Sequence, residues 1–169
     1  MRDSDVFDKA VKTFFEPIAQ KLALPLSKVR EGVYEIPSPY FIMRVRLDTG
    51  HARGLNVILR PASAEEFDEN KPGVQYGIGC FMEFRGEQLE RTFIDVDTDA
   101  DFLEQARLLA LAAERHCVPY LLGKGKDLAA IREGINKKTA ADLEEIKKYR
   151  FPTNVREEWT VPDLEDENQ

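Results

Sequence analysis

The sequence predicts an α+β fold: an antiparallel sheet of four to five strands with helices packed on one face, in the order α-βββββ-ααα. The first observation behind this prediction is the alternation of apolar and polar residues in segments 40–48 and 54–60, which is typical of half-buried strands. The second is the helical spacing of apolar residues in segments 4–24 and 100–116. Because helices flank the strands instead of alternating with them, the pattern indicates a segregated layout.

Segment 4–24 predicts an amphipathic helix. The apolar residues of one helix face are Phe7, Ala10, Val11, Phe14, Ile18 and Leu22. Pro17 lies inside this pattern, and proline lacks the backbone N–H and crowds the preceding turn. We therefore expect a kink or a break at Pro17. A short strand at 33–36 and a turn at 37–39 lead into the hairpin.

Residues 40–60 predict the central β-hairpin. One face of its first strand carries Phe41, Met43, Val45 and Leu47, and the other carries Tyr40, Ile42, Arg44 and Arg46. Segment 49–53 has the length and the glycine content of a hairpin turn. Placing Leu47 opposite Leu55 sets Ile42 opposite Arg60, and opposed residues share a face. Arg44, Arg46 and Arg60 should then lie together on the face away from the main core.

Two more strands are predicted after a loop at 61–73. Segment 74–85 alternates, and Gly77 and Gly79 leave one of its faces bare. Bare glycines in a strand indicate a bulge or the close approach of a ligand or another backbone. Segment 89–96 mixes polar and apolar residues on both faces, which fits a returning edge strand.

The C-terminal part predicts helices at 100–116, 126–134 and 139–149. Asp97, Thr98 and Asp99 should cap the first helix, since short polar side chains satisfy its free N–H groups. Its buried face should contain Phe102, Leu103, Ala106, Leu109, Ala110 and Ala113. We expect residues 1–150 to form a single domain and residues 151–169 to form an acidic C-terminal tail.

Composition limits the classes of function. The net charge is −7 and the pI is about 5.0, which argues against general nucleic-acid binding and against docking on anionic membranes. Residues 1–60 are nevertheless basic, whereas 61–100 and the tail are acidic, and such asymmetry is typical of a partner surface or of internal complementarity. A charged start and two cysteines without a CxxC spacing predict a cytoplasmic protein with reduced thiols, of which Cys80 is expected in the core.

The sequence offers few groups for acid–base chemistry. His51 falls in the hairpin turn near Asp48 and Arg53, where it is either a ligand-binding or catalytic residue or, as we favour, a solvated turn residue. His116 ends a helix, where a positive charge favours the helix dipole. No spacing predicts a catalytic residue, a metal site or a cofactor.

The candidate binding residues are Arg44, Arg46, Arg60, His51, Arg53 and Trp159. Arginine forks suit carboxylates and phosphates, but the same face could be a plain sheet surface balanced by Glu83 and its neighbours. Trp159 is the single tryptophan and lies in the acidic tail. It is either an interface anchor, a residue docked on its own domain, or part of a disordered segment.

These observations favour a non-catalytic protein-binding module that uses the sheet face or the C-terminal tail. The alternative is a small-molecule binder or enzyme with a pocket near the 48–60 hairpin, and a deep pocket lined by convergent polar groups would favour it. The pattern is compatible with a protein partner and with a homodimer, and predicts neither nucleic acid nor membrane as a partner. In outline the layout is similar to small bacterial α+β proteins and to immunity-type proteins, although no motif carries that likeness.

Overall fold

A computed structural model describes residues 2–50, 52–63 and 75–150 of the chain. Its secondary structure confirms the mixed α+β class, with an antiparallel sheet of five strands in the order β1-β2-β3-β4-β5. The strands are β1 (Ser27–Arg30), β2 (Val33–Pro37), β3 (Phe41–Asp48), β4 (Gly54–Pro61) and β5 (Tyr76–Gly77). The helices are α1 (Asp3–Ala10), α2 (Glu16–Lys21), α3 (Ile78–Phe84), α4 (Asp99–His116), α5 (Val118–Leu121) and α6 (Leu128–Arg150).

The β3–β4 hairpin has the predicted register. Leu47 lies opposite Leu55, and Arg46 lies opposite Asn56. Along the inner face Met43, Val45, Val57 and Leu59 are fully buried. The alternation along both strands fixes this register, because a slip of a single residue would turn the whole apolar set toward the other face.

The N-terminal helical segment contains a π-helical turn, Val11–Phe15, between α1 and α2. Glu16 donates its backbone N–H to the carbonyl of Val11, which widens the turn by one residue. The inward position predicted for Phe14 is therefore taken by Phe15, which is fully buried, while Phe14 is only half-buried. Pro17 falls in the first turn of α2, directly after the π-helical turn, and the helical segment continues past it without a break.

The strands predicted at 74–85 and 89–96 are wrong. Only Tyr76 and Gly77 pair with β4, and α3 follows immediately, with its buried residues Ile78, Phe81 and Met82 at helical spacing. Gly79 lies inside this helix against the side chains of Leu89 and Phe93. Segment Leu89–Arg91 is a 3₁₀ turn instead of a strand, and Val74 lies outside the described residues.

Strand β1 was not predicted. Ser27 pairs with Glu35 and Lys28 with Tyr34, and a bulge at Val29 then shifts the register. Lys28 Nζ lies 2.6 Å from Asp8 Oδ2, so the edge of the sheet is tied to α1.

Helix α4 forms the centre of the helical layer, packing on β4, α1 and α3. Of the predicted capping residues, Thr98 is the N-cap, and its partner is Asp101: Thr98 Oγ1 accepts from the Asp101 N–H at 3.1 Å, and Asp101 Oδ2 accepts from the Thr98 N–H at 2.9 Å. Of its predicted inward face, Phe102, Ala106, Leu109, Ala110 and Ala113 are buried and Leu103 is half-buried.

The two helices predicted at 126–134 and 139–149 are a single helix, α6. Gly134 does not end it, because an interior glycine costs only about 1 kcal/mol relative to alanine. Charged pairs such as Glu133–Lys137, 2.8 Å apart, line its surface. None of the helices in the described residues is both long and apolar enough to cross a membrane.

The chain divides into two compact units, Met1–Ile131 and Arg132–Gln169. The sheet, α1 to α5 and the start of α6 belong to the first unit, whose core includes the aromatic cluster of Phe41, Phe81 and Tyr120. In the second unit the described residues all belong to α6. A single domain over residues 1–150 stays a prediction.

Candidate functional site

A pocket of about 480 Å³ lies where the β3–β4 hairpin meets the segment before α4. Its lining includes Asp48, Arg53 and Asn56 from the hairpin side, Phe93, Asp95 and Asp97 from the segment before α4, and Gln105 from α4. Arg53 was a predicted candidate binding residue, and a pocket near the 48–60 hairpin was the alternative expectation. Asp95, Asp97 and Gln105 were not predicted, because a strand at 89–96 would not bring this segment to the hairpin.

Gln105 holds the walls of this pocket together. Its Oε1 accepts from the Leu55 N–H at 3.0 Å, and its Nε2 donates to the Ile94 carbonyl at 2.9 Å. The side chain is 5% exposed, so both of its polar atoms find partners in the interior. Gly54 makes room for it, since a Cβ at this position would lie 2.7 Å from Gln105 Oε1.

Arg53 joins the hairpin to two helix N-termini. Its Nε donates to Asp3 at 2.8 Å and its Nη2 to Asp99 at 2.5 Å, while its guanidinium lies over the ring of Phe102. The hydrogen bond to Asp99 raises the pKa of Arg53 and lowers the pKa of Asp99. Arg53 therefore fixes the pocket's geometry, and its charge is already matched by two carboxylates.

The pocket lining carries a negative charge. Asp48, Asp95 and Asp97 contribute three carboxylates, whereas the lining arginine, Arg53, is paired with Asp3 and Asp99. Asp48 Oδ1 also accepts from the Gly50 N–H at 3.2 Å, which shapes the hairpin turn. The arrangement suits a cationic group more than an anion.

Two of the three arginines predicted on the outer sheet face, Arg44 and Arg60, lie around a carboxylate that was not predicted. Glu35 of β2 stands directly opposite Arg44 of β3, and their closest N–O distance is 2.5 Å. Arg60 lies 3.8 Å from the same oxygen. These side chains are only 11–15% exposed, so this is a half-buried ion cluster. If the pairing of β2 with β3 had been predicted from the sequence, it would have placed Glu35 opposite Arg44.

Arg46, the third arginine of this face, lies opposite Val33 and Asn56. It lines a different cavity, of about 440 Å³, together with Arg30 and Glu31. The structure therefore separates the predicted candidates into an Arg44–Arg60 cluster, Arg46 beside β1, and Arg53 at the hairpin pocket. His51 and Trp159 lie outside the described residues, and their roles stay predictions.

His116 occupies a second polar cluster. Arg85 Nη1 lies 2.6 Å from its Nδ1, and Glu87 Oε1 lies 2.8 Å from its Nε2. Because a guanidinium can only donate, Nδ1 accepts and the ring proton sits on Nε2. Burial lowers the pKa of His116, and the nearby Glu87 offsets this only in part. His116 does end α4, as expected, but its lowered pKa favours the neutral ring over the cation that would suit the helix dipole.

Both cysteines are free, as predicted, but the placement of Cys80 differs from the prediction. Cys117 is fully buried, and burial raises its pKa to about 12. Cys80, predicted in the core, is half-buried at the start of α3. The helix in place of the predicted strand explains the change, because it turns Cys80 partly outward.

No protein-family model, curated protein or solved structure matches this chain.

Proposed function

We propose that this protein is a non-catalytic binding protein that holds a positively charged group of a partner protein in the hairpin pocket. The observation that carries the proposal is the negative lining of a cavity of about 480 Å³ whose walls are fixed by Gln105 and Arg53. Ligand pockets typically span ~300–1,000 Å³ and rely on a few well-placed polar groups.

The rigidity of the pocket supports binding. Gln105 joins β4 to the segment before α4, and Arg53 joins the hairpin to α1 and α4. A site whose walls are already ordered loses little conformational entropy when its ligand enters. Lysine and arginine side chains of a partner are the common protein groups that match three carboxylates.

The outer sheet face is the weaker place for a partner. Glu35 already matches Arg44 and approaches Arg60, and all three side chains are mostly buried. A partner there would have to compete with an ion pair that is formed within the chain. We therefore place the protein-binding site in the hairpin pocket. The two cysteines without a CxxC spacing support a cytoplasmic location.

The test compares two sources of the same cationic chemistry. The full chain is titrated calorimetrically at low salt with a short oligolysine peptide and, separately, with spermidine. Protein recognition predicts tighter binding of the peptide, whereas tighter binding of spermidine would instead support the small-molecule alternative. Asp95→Asn and Asp97→Asn should each weaken binding by about threefold to tenfold, because each removes one attractive charge.

Glu114→Gln is the matched control, since Glu114 is an exposed carboxylate of α4 outside the pocket lining. It should leave the affinity unchanged. Equal losses in Glu114→Gln and the pocket variants would reveal non-specific attraction to an acidic protein, and the proposal would then fail.

A further inference from the structure

Another cavity, also of about 440 Å³, lies beside the C-terminal end of α4, away from the hairpin pocket and from the cavity beside Arg46. It is lined by Gly86, Glu87, Gln88, Arg91, Thr92 and Arg115. Its charges have the opposite sign to those of the hairpin pocket. Two arginines line it directly, and Arg85 stands next to it through its contact with His116.

The end of α3 builds one wall of this cavity. Glu87 N–H donates to the Met82 carbonyl and Gly86 N–H to the Glu83 carbonyl, which is the Schellman arrangement of a helix C-terminus. Gly86 takes φ +73°, a conformation that glycine adopts without strain. This turn separates Arg85 from Glu87, so that the two residues reach opposite nitrogens of the His116 ring.

The turn places three side chains in a hydrogen-bond network around Glu87. Arg85 donates to His116, His116 donates to Glu87, and Arg115 also donates to Glu87, at 3.2 Å. Burial alone would raise the pKa of Glu87, but the hydrogen bond from Arg115 and the interaction with His116 outweigh it and lower the pKa. Glu87 is therefore ionised at neutral pH. It anchors Arg115 at the cavity while His116 stays neutral.

The cluster consequently carries a surplus of positive charge. Arg91 and Arg115 line the cavity with one carboxylate, Glu87, and Arg85 adds a third guanidinium next to it through its contact with His116, within a protein whose net charge is −7. A phosphate monoester carries roughly −1.5 to −2 charges at neutral pH, so this surplus of positive charge attracts it. Arginine forks bind such oxyanions through paired hydrogen bonds, and the Thr92 hydroxyl and the Gln88 amide add neutral donors to the lining.

We propose that this cavity is a binding site for a phosphate group of a ligand, with Arg91 and Arg115 as its contact residues. Arg85, His116 and Glu87 are positioning residues, because they hold Arg115 and the wall of the cavity in place. This site is separate from the hairpin pocket, so either proposal stands without the other.

The experiment is a titration of the full chain with inorganic phosphate, followed by nuclear magnetic resonance of backbone amides, with acetate as a monoanionic comparison. Saturable shifts should concentrate at residues 86–92 and at the end of α4, and phosphate should bind more tightly than acetate. Arg91→Gln and Arg115→Gln should each weaken phosphate binding by about tenfold, the value of one lost charge-assisted hydrogen bond.

Arg107→Gln is the matched control, because Arg107 is also an arginine of α4 paired with a glutamate, Glu104, 2.7 Å away, and it lies outside the cavity. It should leave the phosphate affinity unchanged. Arg91→Gln should not affect folding, because Arg91 is exposed and takes no part in the hydrogen bonds around His116. An absence of saturable binding, equal affinity for acetate, or an equal loss in Arg107→Gln would overturn the proposal.

Discussion

Glu35 and Arg44 stand directly opposite each other on neighbouring strands, and Oε1 of Glu35 accepts from both Nε and Nη2 of Arg44, at 2.9 and 2.5 Å. The same oxygen lies 3.8 Å from Arg60. A single carboxylate of β2 thus gathers two arginines that come from β3 and β4. Because all three side chains are mostly buried, the cluster is shielded from water and salt more than a surface pair is.

The first prediction concerns this cluster. Glu35→Gln should lower the free energy of unfolding by about 1–3 kcal/mol, because it removes the charged acceptor of two hydrogen bonds from the half-buried Arg44. Urea unfolding followed by circular dichroism measures the change. Glu104→Gln breaks the exposed pair with Arg107 and should cost about 0.5 kcal/mol or less. If both variants lost the same free energy of unfolding, the ion cluster of the sheet would stabilise the protein no more than an exposed ion pair does.

The second prediction tests the core. Val57 is fully buried in β4, opposite Val45, so Val57→Asp should cost more than about 4 kcal/mol and unfold the protein by burying an unpaired charge. Leu111→Asp makes the same kind of change at a side chain of α4 that is 45% exposed, and its melting temperature should stay near that of the parent. A Val57→Asp variant that melts like the parent would contradict the register of the sheet.

The hairpin register could be predicted because two long alternating strands and a short turn allow few alignments. At 74–85 the same kind of alternation predicted a strand, whereas most of this segment is helix α3. Ile78, Phe81 and Met82 fit both a strand with mixed faces and a helix with one buried face, and the packing of α3 against α4 and β4 selects the helix. Local pattern alone did not distinguish these outcomes, because tertiary contacts decide between them.

The site was predictable only in part. Arg53 and a pocket beside the hairpin followed from the position of the turn. Gln105 could not be anticipated, because its partners Leu55 and Ile94 are far from it along the chain. Phe15 was missed for a different reason: a π-helical turn adds one residue, and the apolar spacing before Pro17 fits Phe14 equally well.

The third prediction concerns thiol reactivity. Cys117 is fully buried and its pKa is raised to about 12, so little thiolate is present near neutral pH. Cys80 is half-buried. Titration of the native protein with a disulfide reagent should modify Cys80 first and Cys117 only on unfolding. Cys80→Ser should abolish the fast phase of the thiol reaction. If Cys117→Ser abolished the fast phase instead, Cys117 would be the reactive thiol and the prediction would be wrong.

The fourth prediction concerns acid sensitivity. The folded state holds the pKa of His116 below its ordinary value of 6.5, so below about pH 6.5 the unfolded chain takes up a proton that the folded ring resists. The stability associated with His116 is therefore complete above that pH and is lost as the pH falls. The lowered pKa of Glu87 acts in the same direction at still lower pH, below 4.5.

Guanidinium unfolding between about pH 8 and about pH 5 measures this slope. His116→Gln should reduce the fall in the free energy of unfolding over that range, whatever its effect at pH 8. His51 is present in both proteins and cancels in the comparison. An unchanged slope in His116→Gln would mean that the ring titrates equally in both states.

The two edges of the described sheet are poor templates for further strands. At one edge, β1 is broken by the bulge at Val29 and carries Lys28, which is held by Asp8. At the other edge, β5 pairs over only Tyr76 and Gly77. Bulges, lysines and short edge strands are devices that prevent edge-to-edge aggregation between sheets. Contacts between two copies of this chain would accordingly have to form through side-chain surfaces, which favours specific association over open-ended growth of the sheet.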